Sequence, residues 1–181
     1  DIVVESPINS NVLGSIPETI KIEFLISDGD QNILLRNYEV EVKYRYDRMG
    51  QVIKSEKFKT DNEGKFVLST TRTGKIYLQI YSKDFSVFAK SLLIYHGISK
   101  QSLDLYKGGT LEIQATNVAG KPIIGLTAFQ DGFDEFKITL PMTYDFKKNK
   151  YLIDHIDDGI RELYFKANGY QQTPIFKINI E

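Results

Sequence analysis

The chain has 181 residues, with 23 Lys and Arg against 24 Asp and Glu, no Cys, no Trp, two His, 11 Tyr and 11 Phe. The missing cysteines exclude a disulfide scaffold, a thiolate zinc site, an iron–sulfur cluster and a cysteine nucleophile, and a formal net charge of -1 removes any general electrostatic drive onto nucleic acid or anionic lipid. A hydrophobic content of 41% is too high for a disordered chain, while the length suits either one large domain or two small ones.

The first residue is Asp1 rather than Met, so the expectation is a mature form or a piece cut from a longer chain. No positive n-region precedes an apolar h-region. Apolar runs such as Ser91-Leu92-Leu93-Ile94-Tyr95 fall far short of the ~20 residues of a membrane helix, so no membrane span is expected. Residues Asp1 to Pro17, with two prolines and the run Val12-Leu13-Gly14-Ser15, read as a leader segment or an added edge strand. The lack of cysteine suits an exported bacterial protein and a cytosolic one alike.

From Thr19 onward the period is two. Ile20-Lys21-Ile22-Glu23-Phe24 alternates apolar and charged residues, and Tyr38-Glu39-Val40-Glu41-Val42-Lys43-Tyr44-Arg45-Tyr46-Asp47 does so over its whole length. Side chains alternate faces along a strand, so each segment reads as a half-buried strand with one core face. The pattern returns in Lys75–Tyr81, Thr110–Ala115, Arg161–Lys166 and the terminal Phe176–Glu181. Turn signals separate these segments: Ser27-Asp28-Gly29-Asp30, Arg48-Met49-Gly50, Asp61–Gly64, Thr73-Gly74, Lys107-Gly108-Gly109, Ala119–Pro122, Asp157-Asp158-Gly159 and Asn168-Gly169. Strands broken at such spacing predict an antiparallel sandwich or barrel, and no amphipathic helix of useful length intervenes. The fold class is all-β.

The strands fall into two series, Thr19 to Tyr95 and Gln101 to Glu181, joined by the short His96-Gly97-Ile98-Ser99-Lys100. The expectation is two tandem antiparallel sandwiches, 1–97 with the leader and 98–181, each with a modest core. A single large sandwich is the competing arrangement.

The second series contains Leu111–Ala115, Asn117-Val118-Ala119-Gly120-Lys121-Pro122-Ile123-Ile124-Gly125, Lys150-Tyr151-Leu152-Ile153, Gly159–Ala167 and Gly169-Tyr170. This order resembles the transthyretin-like sandwich of carboxypeptidase regulatory domains. The first series carries Thr60-Asp61-Asn62-Glu63-Gly64-Lys65-Phe66-Val67-Leu68, which is similar to a Thr-Asp-x-x-Gly-x-Phe signature of that family and of immunoglobulin-like surface modules such as B-type adhesin repeats. Locally, Asp61 should accept bonds from the turn backbone, Gly64 should take a left-handed conformation, and Phe66 and Leu68 should enter the core. The resemblance implies exported or cell-surface proteins in which such tandems are spacers, adhesive modules or accessory domains.

The chemistry of that wider family does not carry over. The ureide-hydrolase branch ends in Tyr-Arg-Gly-Ser, whereas this chain ends Ile178-Asn179-Ile180-Glu181. A Lys–Asn isopeptide link of the adhesin kind needs an inward Lys on the first strand. Here Ile20, Ile22 and Phe24 take the inward positions and send Lys21 out. Neither Lys107-Gly108-Gly109-Thr110 nor Leu13-Gly14-Ser15-Ile16-Pro17 completes a phosphate loop or a nucleophile elbow.

Three constellations are worth placing. Asp154, His155 and Asp158 could serve a metal-assisted reaction, against the plainer reading of a solvated acidic turn. Asp28, Asp30 and Asn32 have oxygen ligands at calcium-like spacing, but Ile33 and Glu39 stand at the sixth and twelfth positions and exclude a calcium-hand loop. Asp131-Gly132-Phe133-Asp134-Glu135 is similar and reads as a loop. Among the aromatics, Tyr77 and Tyr81 share the face opposite Ile76, Leu78 and Ile80, and are the candidates for exposure to a ligand or partner. The alternative is that they cover a neighbouring strand or the other half. Lys54, Lys57 and Lys59 form a solvated face.

The function expected is a non-catalytic structural or protein-binding module of an extracytoplasmic bacterial protein, with no cofactor and no metal. Its partner would be another protein or a larger parent chain. The second reading is a carbohydrate-binding accessory module that stacks sugar on Tyr77 and Tyr81, and an enzyme is not expected.

Overall fold

The computed structural model describes residues 19–46, 53–130 and 137–180. The leader, the Arg48-Met49-Gly50 turn and the Asp131–Glu135 loop lie outside the described residues. Those described form strands and connections, with no helix among them. The first eight strands are β1 (Ile20–Asp28), β2 (Ile33–Leu34), β3 (Glu39–Tyr46), β4 (Lys54–Lys59), β5 (Lys65–Thr70), β6 (Gly74–Tyr81), β7 (Phe88–Ile94) and β8 (Ile98–Leu105). The remaining seven are β9 (Gly109–Ile113), β10 (Thr127–Gln130), β11 (Ile138–Leu140), β12 (Thr143–Asp145), β13 (Lys150–Ile156), β14 (Gly159–Lys166) and β15 (Phe176–Ile180).

The alternating segments form strands with the faces the sequence implies. Along β1, Ile20, Ile22, Phe24 and Ile26 are fully buried while Lys21 is exposed, and along β3 Val40, Val42, Tyr44 and Tyr46 point inward. Two sheets face each other around this core, β5-β1-β8 with β2 added to the end of β1, and β4-β3-β6-β7. Phe24 and Phe66 stack 4.9 Å apart as cross-strand neighbours within one sheet, and the tilted Phe58–Phe66 pair bridges the layers.

The second sandwich repeats this wiring. The β1–β5 pair corresponds to β9–β13, and β4-β3-β6-β7 corresponds strand for strand to β11-β10-β14-β15. A second core of Ala128, Ile138, Leu140, Ile153, Ile156, Leu163, Phe165 and Ile180 lies between its sheets. The fold is therefore two antiparallel sandwiches in tandem.

The turns repeat as well. Asp61 Oδ1 accepts from the Glu63 and Lys65 amides at 2.8 and 2.9 Å, and Gly64 sits at φ 77°. Asn117 Oδ1 accepts in the same way from Ala119 and Lys121, both at 3.0 Å, with Gly120 at φ 74°. An Asx side chain that mimics a backbone turn, followed by a residue in the left-handed region, explains why both loops read Asp/Asn-x-x-Gly-Lys. These amide bonds, that from Lys65 foremost, hold the Asp61 carboxyl below its ordinary range.

One boundary differs from the sequence reading. Ile98–Leu105, which the reading assigned to the second half, pairs in parallel with β1 over its whole length and places Leu103 and Leu105, each 1% exposed, in the first core. The strand was hard to place because Ser99 and Gln101 occupy its other inward positions. A parallel partner also leaves no hairpin signal in the sequence.

Candidate functional site: the inter-sandwich seam and an open cleft

Strand β6 is buried on both faces. Ile76, Leu78 and Ile80 face the first core, and Tyr77, Gln79 and Tyr81 lie on the other side with only 6, 3 and 9% exposure. Tyr77 and Tyr81 do share the face opposite the first core. Neither is exposed, and the alternative holds for Tyr81, against which the second sandwich packs, while Arg45 and Lys75 of the first sandwich lie over the Tyr77 ring. Tyr81 joins the second core together with Val87.

Polar atoms on this face are paired across the seam. The Tyr81 hydroxyl donates within range of Gln79 Oε1 at 2.8 Å and the Thr139 carbonyl at 3.1 Å, and Gln79 Nε2 donates to the Lys137 carbonyl at 3.0 Å. Both carbonyls belong to the edge of the second sandwich at β11. The first sandwich thus satisfies edge groups that would otherwise template aggregation. Burial, with Glu41 adding to it, pushes the Tyr81 phenol up to about 12. Lys43 Nζ lies 4.2 Å from the Tyr81 ring centroid, while Arg45 and Lys75 lie over the Tyr77 ring.

The other predicted constellations resolve into local roles. Asp28 is buried, and its Oδ1 accepts from the amides of Asp30 and Gln31 at 2.9 and 3.0 Å, while Asp30 Oδ2 accepts from the Lys107 amide at 3.1 Å. Asn32 takes φ 55° in the same turn. These bonds fasten the β1–β2 turn to the link between sandwiches. His155 sits at φ 57° where the β9–β13 ladder shifts register, with Nδ1 3.1 Å from the Lys107 carbonyl. Asp157 pairs with Arg161 at 3.7 Å, whereas Asp154 and Asp158 are exposed. Among the described residues no three His, Asp or Glu side chains converge as metal ligands would. Lys54, Lys57 and Lys59 line the exposed edge strand β4, as expected of a solvated face.

A feature that sequence reasoning missed is a cleft of about 530 Å³ in the second sandwich. It opens between the outer edge of β9 and the β14–β15 hairpin, with Leu111, Ile113, Ile123, Phe165, Phe176 and Ile178 among its walls. The walls are firmly held. Tyr151 donates its hydroxyl to the Ile123 carbonyl at 2.9 Å and accepts from the Leu126 amide at 3.0 Å. On the far side, Thr173 donates its amide to the Phe165 carbonyl at 3.0 Å and accepts from the Phe165 amide at 2.9 Å. Outside the mouth, Lys150 pairs with Glu112 at 2.7 Å and holds that carboxyl below its ordinary range.

No family model and no curated protein matches this sequence. Solved structures that it resembles include a streptococcal ancillary pilin, at 13% identity and a TM-score of 0.37, over 91% of this chain and 60% of the pilin. The chain thus spans less than two thirds of that pilin. A protein from Bacteroides uniformis, provisionally assigned as a carbohydrate binding protein, aligns at 15% identity and a TM-score of 0.36 over 88% of this chain and 98% of its own. A Bacteroides ovatus protein, provisionally assigned as an adhesin, aligns at 8% identity and a TM-score of 0.35 over 99% of this chain and 88% of its own. Similarity this low leaves function to be argued from the chain itself. Among the described residues no helix is long and apolar enough to cross a membrane.

Proposed function

We propose that this chain is a non-catalytic structural or protein-binding module of an extracytoplasmic bacterial protein, built from two transthyretin-like sandwiches held as one rigid unit. We place the boundary between them at Tyr106–Gly108, after β8 rather than before it. The repeated strand wiring and the repeated Asx–Gly turns support reading both sandwiches as one fold type. The resemblance of those turns to exported surface domains supports the location.

The observation that carries the reading is the double burial of β6. A strand whose two faces serve two cores couples the sandwiches through apolar contact and through the Gln79 and Tyr81 bonds, where a loose linker would leave them independent. Rigidity over two domains is what a spacer or a presenting module requires. The carbohydrate-binding alternative loses its platform, since both rings are buried, Tyr81 in the seam and Tyr77 beneath Arg45 and Lys75. Backbone ¹⁵N relaxation tests the reading. One rotational correlation time should fit the amides of β1–β8 and of β9–β15 alike. Two distinct times would show independent domains and defeat it.

A further inference from the structure

The repeat in strand wiring is incomplete around β9. In the first sandwich β1 lies between β5 and β8, so both of its edges are paired. In the second, β9 pairs with β13 on one edge, and among the described residues no strand pairs with the other. The unpaired edge is the one that faces the cleft.

Burial follows the same difference. The inward residues of β1 are sealed, partly by Leu103 and Leu105 of β8, whereas their counterparts Leu111 and Ile113 on β9 are only half-buried. Phe176, opposite them on β15, is 43% exposed. An apolar groove beside an unpaired strand edge is the setting for strand addition. Main-chain bonds supply affinity there, and alternate side chains fill the groove.

Chain order indicates the occupant. β8 completes the sandwich that comes before it and is followed after three residues, 106–108, by the first strand of the next sandwich. The N-terminal segment stands in the same relation to β1. Its run Val12-Leu13-Gly14-Ser15-Ile16 is followed after three residues, 17–19, by Ile20. Val12, Gly14 and Ile16 would share one face of a strand. The start of β1 is also remote from its own second sandwich. Lys21 donates its amide to the Gly97 carbonyl at 3.3 Å, at the end of the β1–β8 ladder opposite Leu105. With eight paired positions at roughly 3.3 Å each, that is about 25 Å from the link to β9.

We propose that the cleft beside β9 receives the N-terminal segment Asp1–Pro17 of a second copy of this chain, as a strand parallel to β9. The contact is heterologous, one copy's leader against another's second sandwich, and it therefore propagates head to tail. This goes beyond the rigid-module reading and does not depend on it, since a rigid pair of sandwiches need not assemble.

Sedimentation velocity of the full chain is the test. Mass should rise with concentration in steps of one chain, and excess synthetic peptide of residues 1–17 should cap the cleft and return single copies with peptide bound. Phe176→Lys, at a wall position 43% exposed, with an unchanged far-UV circular dichroism spectrum to show that it folds, should weaken peptide binding by about tenfold or more and abolish assembly. A variant with residues 1–17 repeated after Glu181 through a flexible linker should stay monomeric and refuse the peptide. A chain that is monomeric at every concentration and takes no peptide overturns the proposal, including the case in which it fills its own cleft. So does assembly, or peptide binding, that Phe176→Lys leaves unchanged. In either case the relaxation experiment still decides rigidity separately.

Discussion

Leu103→Ala against Leu111→Ala measures how differently the two sandwiches are closed. Both leucines face inward, Leu103 on β8, which pairs the outer edge of β1, and Leu111 on β9, the counterpart of β1, but Leu103 is 1% exposed in a sealed core and Leu111 is half-buried beside the cleft. Removing Leu103 loses the transfer energy of its carbons and leaves a cavity that the close-packed sheets cannot collapse. That costs about 3–4 kcal/mol. Removing Leu111 forfeits only about half of the transfer term, roughly 1 kcal/mol at ~0.8 kcal/mol per buried methylene, and any void opens onto water. Urea unfolding followed by far-UV circular dichroism reads the difference, since the chain has no Trp to report by fluorescence. The urea slope should be unchanged, so the midpoints alone carry the effect. Equal costs for the two substitutions, or a larger one for Leu111, would refute the assignment of β8 to the first core and of an open edge to the second.

Two further outcomes follow from the seam. Gly108 lies at φ 63°, and a Cβ there would stand 2.2 Å from the Ile156 carbonyl oxygen and 2.4 Å from Ser86 Oγ, so Gly108→Ala should cost about 2–3 kcal/mol and lower the melting temperature by about 5–10 °C. An unchanged melting temperature would mean that the sandwiches do not approach so closely at this link. The Tyr81 phenol, raised to about 12 by burial, is a group whose folded pKa exceeds its unfolded value near 10, so its contribution is complete below pH 10 and is lost as pH climbs toward 12. At ~1.4 kcal/mol per pH unit, Tyr81 should contribute up to about 3 kcal/mol of the fall over that window, beside the Tyr44 and Tyr38 phenols that burial also raises. Tyr81→Phe should flatten the decline, and an identical decline in the variant would contradict the assignment.

Much of the fold was legible because one-sided strands declare themselves. Val40, Val42, Tyr44 and Tyr46 against Glu39, Glu41, Lys43 and Arg45 leave one face for a core, and the structure buries that face. The Asp61 turn was equally readable, since its geometry follows from one carboxylate and one glycine close in sequence. Strand β6 was legible by half. Its outer face mixes Tyr77 and Tyr81 with Lys75 and Gln79, and sequence alone does not say whether water, neighbouring side chains or a second sandwich covers the two rings. Burial against a distant segment is a tertiary fact. The cleft was invisible for a related reason. Leu111 and Ile113 alternate as Ile20 and Ile22 do, and only the pairing of the two strands reveals that β1 has a second neighbour while, among the described residues, β9 has none.

Amide hydrogen exchange on the isolated, dilute chain tests that difference most directly. Nearly every amide of β1 should exchange slowly, because β5 and β8 occupy both its edges, whereas β9 should alternate between slow amides bonded to β13 and fast ones facing the cleft. Uniformly slow exchange along β9 in a single copy would mean that its outer edge is already paired, and would contradict the account.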